Sequence, residues 1–414
     1  MTDHGRKLRV AFINDTARNG GPGRSLHCIL KFLDPEAIHR TVVLPRAGEI
    51  SELLETSGVA DEIVFERNLV ENPIEPWSRP MQRADFDAPA AKKAWRAVGN
   101  VVRGAVGFAR LASFLRRGKF DLIYCNGTNA DFAGGALAAV TGIPAIWHVR
   151  YTSLPSAVRA IHKRLSSSSG VKRIVCVSHA AAAQFPHCNE KVRVINNALD
   201  VDDYSASRNR GVLREELGLS ADTVIFGSQG RILPRKGYAE MTRAAKIALD
   251  AMTPEERDRV RFVVLGDTPE DYHPDHLAEC IELSRTLGIA SHMIFLGFRA
   301  DVRPYVVDFD IAIVPSIYAD PLPRAVIESM AFGKPVIAFD VGGVSEMLRD
   351  GESGALVQAN PPDVEGMAKQ FLRYLRDPEL RKRQGETARE RVVAEFDGRA
   401  HSAKIQREII ESVG

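Results

Sequence analysis

The sequence PSIYADPLPRAVIESMAFGKPVIAFDVGGVSEML, residues 315–348, decides the fold of this chain. The apolar run before it, residues 310–314, predicts a buried strand, and residues 323–332 predict a helix that Gly333 ends. Residues 336–339 predict a second buried strand. Two buried strands joined by one helix indicate a right-handed βαβ crossover in a parallel sheet.

Several polar residues and glycines of this stretch are candidates for a ligand site. Ligands of parallel α/β sheets bind beyond the carboxyl ends of the strands, where Asp320, Gly342 and Gly343 are expected to lie. Glu328 joins them from the helix. A second interpretation stays open, because Arg324 and Glu328 are four residues apart and would also suit an ion pair at the surface.

Length and composition bound the class of protein. A chain of 414 residues predicts two domains of about 200 residues each. With 45% hydrophobic and 26% charged residues, it has the composition of a soluble globular protein. A net charge of +2 argues against a general nucleic-acid binder.

The cysteines and the apolar runs predict the compartment. The five cysteines are widely spaced and form no C-x-x-C pair, so we expect reduced thiols and a cytoplasmic protein, with Cys125 and Cys176 buried in strands. The amino terminus has too short an apolar run for a secretory signal, and no run of about eighteen apolar residues occurs. The protein is therefore not expected to span a membrane.

The first half of the chain alternates strands and helices as a doubly wound domain does. A strand at residues 7–13, a glycine-rich turn at 14–23 and a helix at 24–33 give a geometry that suits an anion. The same glycines would also serve simply to reverse the chain. His148 and Arg150 stand at the carboxyl end of a strand predicted at 145–149, where an active site is expected.

Residues 67–90 predict a loop or lid, and residues 91–120 predict a basic amphipathic helix. The helix carries eight cations, no acid and an apolar stripe that includes Trp95, Val98 and Val102. One interpretation is a surface for anionic membranes, at the inner leaflet. The other is an internal helix whose stripe packs on the sheet and whose cations stay in solvent.

In the second half, residues 230–237 (GRILPRKG) form a basic turn before a predicted helix. Arg231 and Lys236 would hold a diphosphate there, the first through its guanidinium fork and the second as a point charge. A solvated surface turn is the alternative. Phe298, after another predicted strand, is expected to be a core aromatic residue rather than a base-stacking one.

Taken together, the ordered motifs P-S, acid-x7-Glu, A-x-G-x-P-V, G-G-x-x-E and, upstream, G-R…K-G resemble glycosyltransferase family 4 over nearly the whole chain. In this chain Asp320 stands where the family has its first glutamate. The resemblance implies the GT-B fold: an α/β protein with two Rossmann-like, doubly wound parallel-sheet domains facing each other across a cleft. Residues 1–205 would form the acceptor-side domain, 206–390 the nucleotide-sugar domain, and 391–414 a helix that crosses back.

The resemblance also implies a function. It is the transfer, with retention and without a metal or cofactor, of a sugar from a nucleotide-diphosphate sugar to a hydroxyl acceptor in cell-surface polysaccharide or glycolipid assembly. The implied catalytic residues are Arg231, Lys236, His148 and Asp320, and Arg150 would lie on the acceptor side. The implied donor-binding residues are Glu328, Gly20, Gly21, Gly230, Gly342, Gly343 and Ser316.

Two other classes stay open at this point. A sugar-nucleotide epimerase of the GT-B fold would share the phosphate site and lack an acceptor. A noncatalytic protein that binds nucleotide sugars would keep the fold with an impaired site, and Asp320 in place of glutamate is the residue that keeps this class open. The expected partners are a nucleotide sugar, a sugar or lipid-linked acceptor and an anionic membrane surface.

Overall fold

The computed structural model describes residues 6–18, 20–69, 90–270, 272 and 274–413. Most of the loop predicted at 67–90 lies outside the described residues. The described chain divides into two compact units. One comprises the residues up to Leu199 together with those from Gly398 onward, and the other runs from Asp200 to Asp397.

The first unit is a parallel sheet with helices around it. Its strands are β1 (Leu8–Asn14), β2 (Ile38–Leu44), β3 (Glu62–Phe65), β4 (Leu122–Asn126), β5 (Ala145–Val149), β6 (Val171–Cys176) and β7 (Val192–Val194). Its helices are α1 (Gly21–Phe32), α2 (Glu49–Ser57), α3 (Ala90–Arg117), α4 (Thr128–Thr141), α5 (Ser156–Ser167), α6 (His179–Ala182) and α16 (Gly398–Val413).

The strand order of this sheet, β3-β2-β1-β4-β5-β6-β7, reverses direction between β1 and β4. The parallel register aligns Asn14 at the end of β1 with Asn126 at the end of β4, and Asn126 with His148 on β5. Open α/β sheets bind ligands at such a switch point. The topology therefore gathers three polar side chains where a ligand of this unit is expected.

The second unit repeats the architecture with six strands. They are β8 (Val224–Gln229), β9 (Val260–Leu265), β10 (Met293–Phe295), β11 (Ile311–Val314), β12 (Val336–Asp340) and β13 (Gly354–Gln358). The helices are α7 (Leu213–Glu216), α8 (Tyr238–Asp250), α9 (Pro254–Asp258), α10 (His276–Thr286), α11 (Arg303–Val306), α12 (Arg324–Ala331), α13 (Val344–Met347), α14 (Val364–Arg376) and α15 (Pro378–Glu395).

The predicted βαβ crossover of the second unit is confirmed. Strands β11 and β12 pair in parallel and α12 connects them, while Gly333, with φ of +70°, follows the end of the helix. The sheet order β10-β9-β8-β11-β12-β13 reverses between β8 and β11. The segments after Gln229 and Val314, which carry the basic turn and Asp320, therefore begin at the second switch point.

Each unit has its own apolar core. In the second unit Phe226, Phe262 and Phe371 form a ring cluster with centroids 5.1 to 5.3 Å apart, which fastens α14 to the sheet. In the first unit Ile405 and Ile409 of α16 are buried in the same cluster as β1 and α1. The last helix is thus part of the core of the first unit.

Two details of the first unit differ from the sequence-based expectation. Helix α1 begins at Gly21 rather than residue 24, because Pro22 in the first turn has a fixed φ and no N–H to leave unpaired. The predicted glycine turn is correspondingly shorter. The five cysteines are free and buried, which confirms the prediction for Cys125 and Cys176. None of the described helices is both long and apolar enough to cross a bilayer.

Candidate active site

The basic turn after β8 lies against the segment that leaves β11. Gly237 has φ of +72°, and a Cβ built on it would come within 1.8 Å of the carbonyl oxygen of Pro315, so glycine is required at this contact. The Ile317 N–H donates to the carbonyl of Arg235 at 3.1 Å. These contacts place the Lys236 side chain beside Asp320, 84 residues later.

Lys236 and Asp320 form an ion pair at the switch point. Lys236 Nζ donates to Asp320 Oδ2 at 2.6 Å, and the Tyr318 hydroxyl donates to the same oxygen at 2.8 Å. Asp320 is buried, and Arg235 lies over the Tyr318 ring at 4.9 Å. Burial raises the pKa of Tyr318, as does the Asp320 carboxylate, while Arg235 and Arg231 oppose the shift. Two predicted catalytic residues are thus in contact, with exposed Arg231 near them.

Glu328 is buried and held by three donors. Arg324 Nε donates to Oε1 at 3.1 Å, the Tyr204 hydroxyl donates to Oε1 at 3.2 Å, and Gln229 Nε2 donates to Oε2 at 2.9 Å. The side chains of Arg324 and Glu328 are only 10% and 6% exposed. The ion pair considered from the sequence therefore exists, but its placement at the surface was wrong.

Tyr204 and Gln229 were not predicted from the sequence as site residues. Gln229 ends β8 directly before Gly230, and its Oε1 is buried without a hydrogen-bond partner among the described residues. Tyr204 packs on Phe332 with ring centroids 5.6 Å apart. Gln229 directly precedes the predicted basic turn at residues 230–237, which was an available signal, whereas no local pattern marked Tyr204.

The glycines of this unit allow close approaches of the backbone. A Cβ on Gly342, at φ of +64°, would lie 2.2 Å from the Asp320 carbonyl oxygen, and the Gly343 N–H donates to that oxygen at 2.9 Å. These two residues thus pack against the loop of Asp320 and stabilise it, a role that was not predicted from the sequence. Gly230, with φ of +146°, crosses the backbone of Gly266, while Ser316 is buried next to β11.

In the first unit, His148 and Arg150 belong to one polar network. Tyr124 and Arg150 both contact Nδ1 of His148, and Arg150 also donates from Nε to Asn126 Oδ1 at 2.9 Å and from Nη1 to Asn197 Oδ1. Burial, with the neighbouring Arg150 charge, holds the pKa of His148 well below its usual value. The imidazole is therefore neutral at physiological pH.

The start of α1 is tied to the same network. Gly20 is the residue before the helix, and Asn126 Nδ2 donates to the Pro22 carbonyl at 3.1 Å and to Asn14 Oδ1 at 2.6 Å. Gly20 and Gly21 therefore lie at a helix amino terminus beside the switch point of the first sheet, where an anion is favoured. The structure thus brings the predicted site residues together as two groups, one in each unit.

Much of helix α3, and Phe298, are exposed to solvent where packing in the core had been considered from the sequence. Leu111 and Leu115 of α3 are buried, but Trp95, Val98 and Val102 are 79%, 57% and 57% exposed. The predicted stripe is thus the solvent side over most of the helix, and an internal helix is wrong for that part. Phe298 is 51% exposed, so its assignment to the core is also wrong.

Two family models match this chain. The model for glycosyl transferases group 1 matches residues 209–391, and the model for Glycosyltransferase Family 4 matches residues 20–203. The chain belongs to glycosyltransferase family 4. Both units of this family 4 chain are therefore covered, and the resemblance noted from the motifs is confirmed.

Comparison with individual proteins agrees with this assignment. The chain is 21% identical to the UDP-Gal:alpha-D-GlcNAc-diphosphoundecaprenol alpha-1,3-galactosyltransferase of Escherichia coli, over 65% of this chain and 70% of that protein. It is 30% identical to the lipopolysaccharide core biosynthesis glycosyltransferase LpsE of Rhizobium meliloti, over 57% of this chain and 64% of that protein. The crystal structure of Anabaena Alr3699/HepE in complex with UDP and glucose superposes with a TM-score of 0.77 at 21% identity, over 98% of this chain and 100% of the other. The fold is accordingly GT-B, as predicted.

Proposed function

We propose that this family 4 chain transfers a sugar from a nucleoside-diphosphate sugar to a hydroxyl acceptor, with retention of configuration at the anomeric carbon. The observation that carries the proposal is the contact between Lys236 and Asp320 at the edge of the second sheet. In this contact, a cation that can bind a phosphate, Lys236, is hydrogen-bonded to a carboxylate that can bind sugar hydroxyls, Asp320. UDP and glucose bound to the Anabaena protein of the same fold support this class of donor.

The proposed chemistry is a front-face displacement. The bond from the anomeric carbon to the diphosphate breaks, the acceptor oxygen bonds to the same face, and the leaving phosphate takes the acceptor proton. Arg231 and Lys236 stabilise the charge that develops on the diphosphate, so no metal is needed for that purpose. Asp320 Oδ2 already accepts from Lys236 and Tyr318, which favours a hydrogen-bonding role over attack on the sugar.

Glu328 is proposed to receive the ribose hydroxyls of the donor. An ionised carboxylate has about four acceptor positions, and the donors from Arg324, Tyr204 and Gln229 leave room for another hydrogen bond. The amide oxygen of Gln229, buried beside Glu328 and without a partner among the described residues, adds a further acceptor. A diol offers two hydroxyl donors, which matches these acceptors.

The decisive measurement is incubation with a panel of nucleoside-diphosphate sugars. We expect slow release of the nucleoside diphosphate by hydrolysis for one donor, and faster release when the acceptor is added, because water is a poor substitute for a positioned hydroxyl. Formation of an epimer of the donor sugar would instead identify an epimerase. Binding of donors without any turnover, with and without lipid-linked acceptors, would identify a noncatalytic protein.

A lipid-linked acceptor and an anionic membrane surface are proposed for the same chain. The solvent side of α3 carries the apolar residues Trp95, Val98, Val102 and Val106, which we call the α3 apolar face. Arg103, Arg110 and Arg117, seven residues apart, are exposed along one edge of it. Apolar residues beside a row of cations suit insertion at an anionic lipid surface. The diphosphoundecaprenol-linked acceptor in the name of the Escherichia coli relative supports this choice.

We expect the protein to sediment with anionic vesicles at low salt and to be released as salt rises, because surface cations contribute about 1 kcal/mol each and are screened. Replacing Arg103, Arg110 and Arg117 by glutamine should abolish most of this binding. The matched control replaces the exposed Arg210, Arg285 and Arg383 by glutamine and should bind as before. Equal binding by the two triple variants would show that α3 is not the surface that meets the lipid.

A further inference from the structure

The neutral imidazole of His148 carries one proton, and membership of family 4 does not determine which ring nitrogen holds it. The residue lies on β5, aligned with Asn126 of β4, and is 2% exposed. Its ring meets the Tyr124 ring edge to face, with centroids 5.7 Å apart and planes at 86°. Because the ring is enclosed by protein, the partner of each ring nitrogen decides which nitrogen carries the proton.

The Nδ1 atom is contacted by two groups that donate. Arg150 Nη2 lies 3.3 Å from Nδ1, and a guanidinium has donors and no acceptor, so Nδ1 must present its lone pair. The Tyr124 hydroxyl lies 2.5 Å from the same nitrogen. Burial raises the pKa of Tyr124 above its usual value, so the hydroxyl keeps its proton and donates it to Nδ1. A proton on Nδ1 would point at the cation of Arg150.

Arg150 is held so that this contact persists. Its Nε donates to Asn126 Oδ1 and its Nη1 to Asn197 Oδ1, which fixes the guanidinium plane on two sides. Asn126 is oriented in turn by donating to Asn14 Oδ1 and to the Pro22 carbonyl. The amide oxygen of Asn126 therefore faces Arg150 because its amide nitrogen is engaged elsewhere.

With the lone pair on Nδ1, the proton of the neutral imidazole is on Nε2. That nitrogen is buried and has no hydrogen-bond partner among the residues that the structure describes. Buried N–H groups in native proteins are nearly always paired, and an exception at a switch point requires a reason. A substrate oxygen that arrives during the reaction supplies one.

We infer that Tyr124 and Arg150 are positioning residues that fix His148 in the Nε2–H tautomer, so that His148 acts on the substrate as a hydrogen-bond donor and not as a base. The group that it recognises is an oxygen with a free lone pair, in a sugar hydroxyl or a phosphoryl group. This inference rests on the proposed transferase function for its substrate but not for the state of the ring. The tautomer exists whether or not the chain transfers a sugar.

The first experiment observes the ring directly. In protein labelled with 15N at histidine, the His148 signals are assigned as those that disappear in His148→Gln. At neutral pH we expect Nδ1 at the position of an unprotonated nitrogen and Nε2 at that of a protonated one. The Nδ1 signal should shift in Tyr124→Phe, which loses a donor to it. A protonated Nδ1, or a doubly protonated ring at neutral pH, overturns the inference irrespective of any activity.

The second experiment compares two amides that imitate the two nitrogens. The glutamine amide reaches about as far as Nε2 and can donate there, whereas the asparagine amide reaches about as far as Nδ1. We expect His148→Gln to retain about tenfold more kcat/KM than His148→Asn, the worth of one hydrogen bond. The same pair at His162, a buried histidine of the same unit, is the control and should show no such difference. Equal or reversed values at position 148 contradict the donor role.

Discussion

Replacing Lys236 by alanine is expected to lower turnover about a hundredfold, because removing a positioned charge from a developing anion commonly costs that much. Arg231→Ala should have an effect of the same direction. The two variants differ in their structural side effects, since Lys236 pairs with buried Asp320 while Arg231 is exposed. We therefore expect Lys236→Ala to lower the unfolding free energy as well, and Arg231→Ala to lower it less.

The measurements are steady-state turnover with the donor found in the panel and chemical denaturation of each variant. Lys246→Ala is the matched control, because Lys246 forms an ion pair of the same length, 2.6 Å, with Asp250 on the exposed side of α8. It should not change turnover. If the double variant with Arg231→Ala and Lys236→Ala is folded and turns over at the original rate, this turn does not bind the diphosphate.

Glu328→Gln is expected to lower the unfolding free energy by about 3 kcal/mol, because it leaves the buried guanidinium of Arg324 without its charge partner. It should also weaken binding of the nucleoside diphosphate, since an amide offers the ribose fewer acceptors than a carboxylate does. Denaturation and calorimetric titration measure the two effects separately.

Two further variants show how much of the effect of Glu328→Gln on binding comes from the loss of the buried ion pair. Glu215→Gln breaks a pair with Arg210 whose side chains are 77% and 85% exposed, and it should change stability by less than about 1 kcal/mol. Arg324→Ala breaks the buried pair from the other side and keeps the carboxylate. If Arg324→Ala and Glu328→Gln weaken nucleotide binding equally, Glu328 acts only through the structure and the ribose role is wrong.

The parallel strands were predictable because they are buried on both faces and form short apolar runs. Strand β5 has the predicted bounds, and β11, α12 and β12 follow the predicted order. The outward side of α3 was not predictable, because the helix is apolar on more than one side. Its sequence period shows which residues share a side, but the rest of the fold decides which side is covered.

The site was predictable only where local patterns mark it. Lys236 and Asp320 were each found from their neighbours in sequence, but their ion pair joins segments 84 residues apart. Tyr204 reaches Glu328 across 124 residues, and no local pattern signals that contact. The network around His148 depends on the register that aligns β1, β4 and β5, which a single sequence does not reveal.

The route of the chain through α16 has a consequence for the order of folding during synthesis. The Gly398 N–H donates to the Leu199 carbonyl at 2.8 Å, so the chain re-enters the first unit at the point where it left. Residues 200–397 are contiguous and have everything needed for their core once they leave the ribosome. The strands of the first unit are made earlier, but its core also contains Ile405 and Ile409 of α16. The core of the first unit is therefore completed only after α16 has been made, and a chain that stops before residue 398 is expected to leave exposed the apolar surface that Ile405 and Ile409 cover.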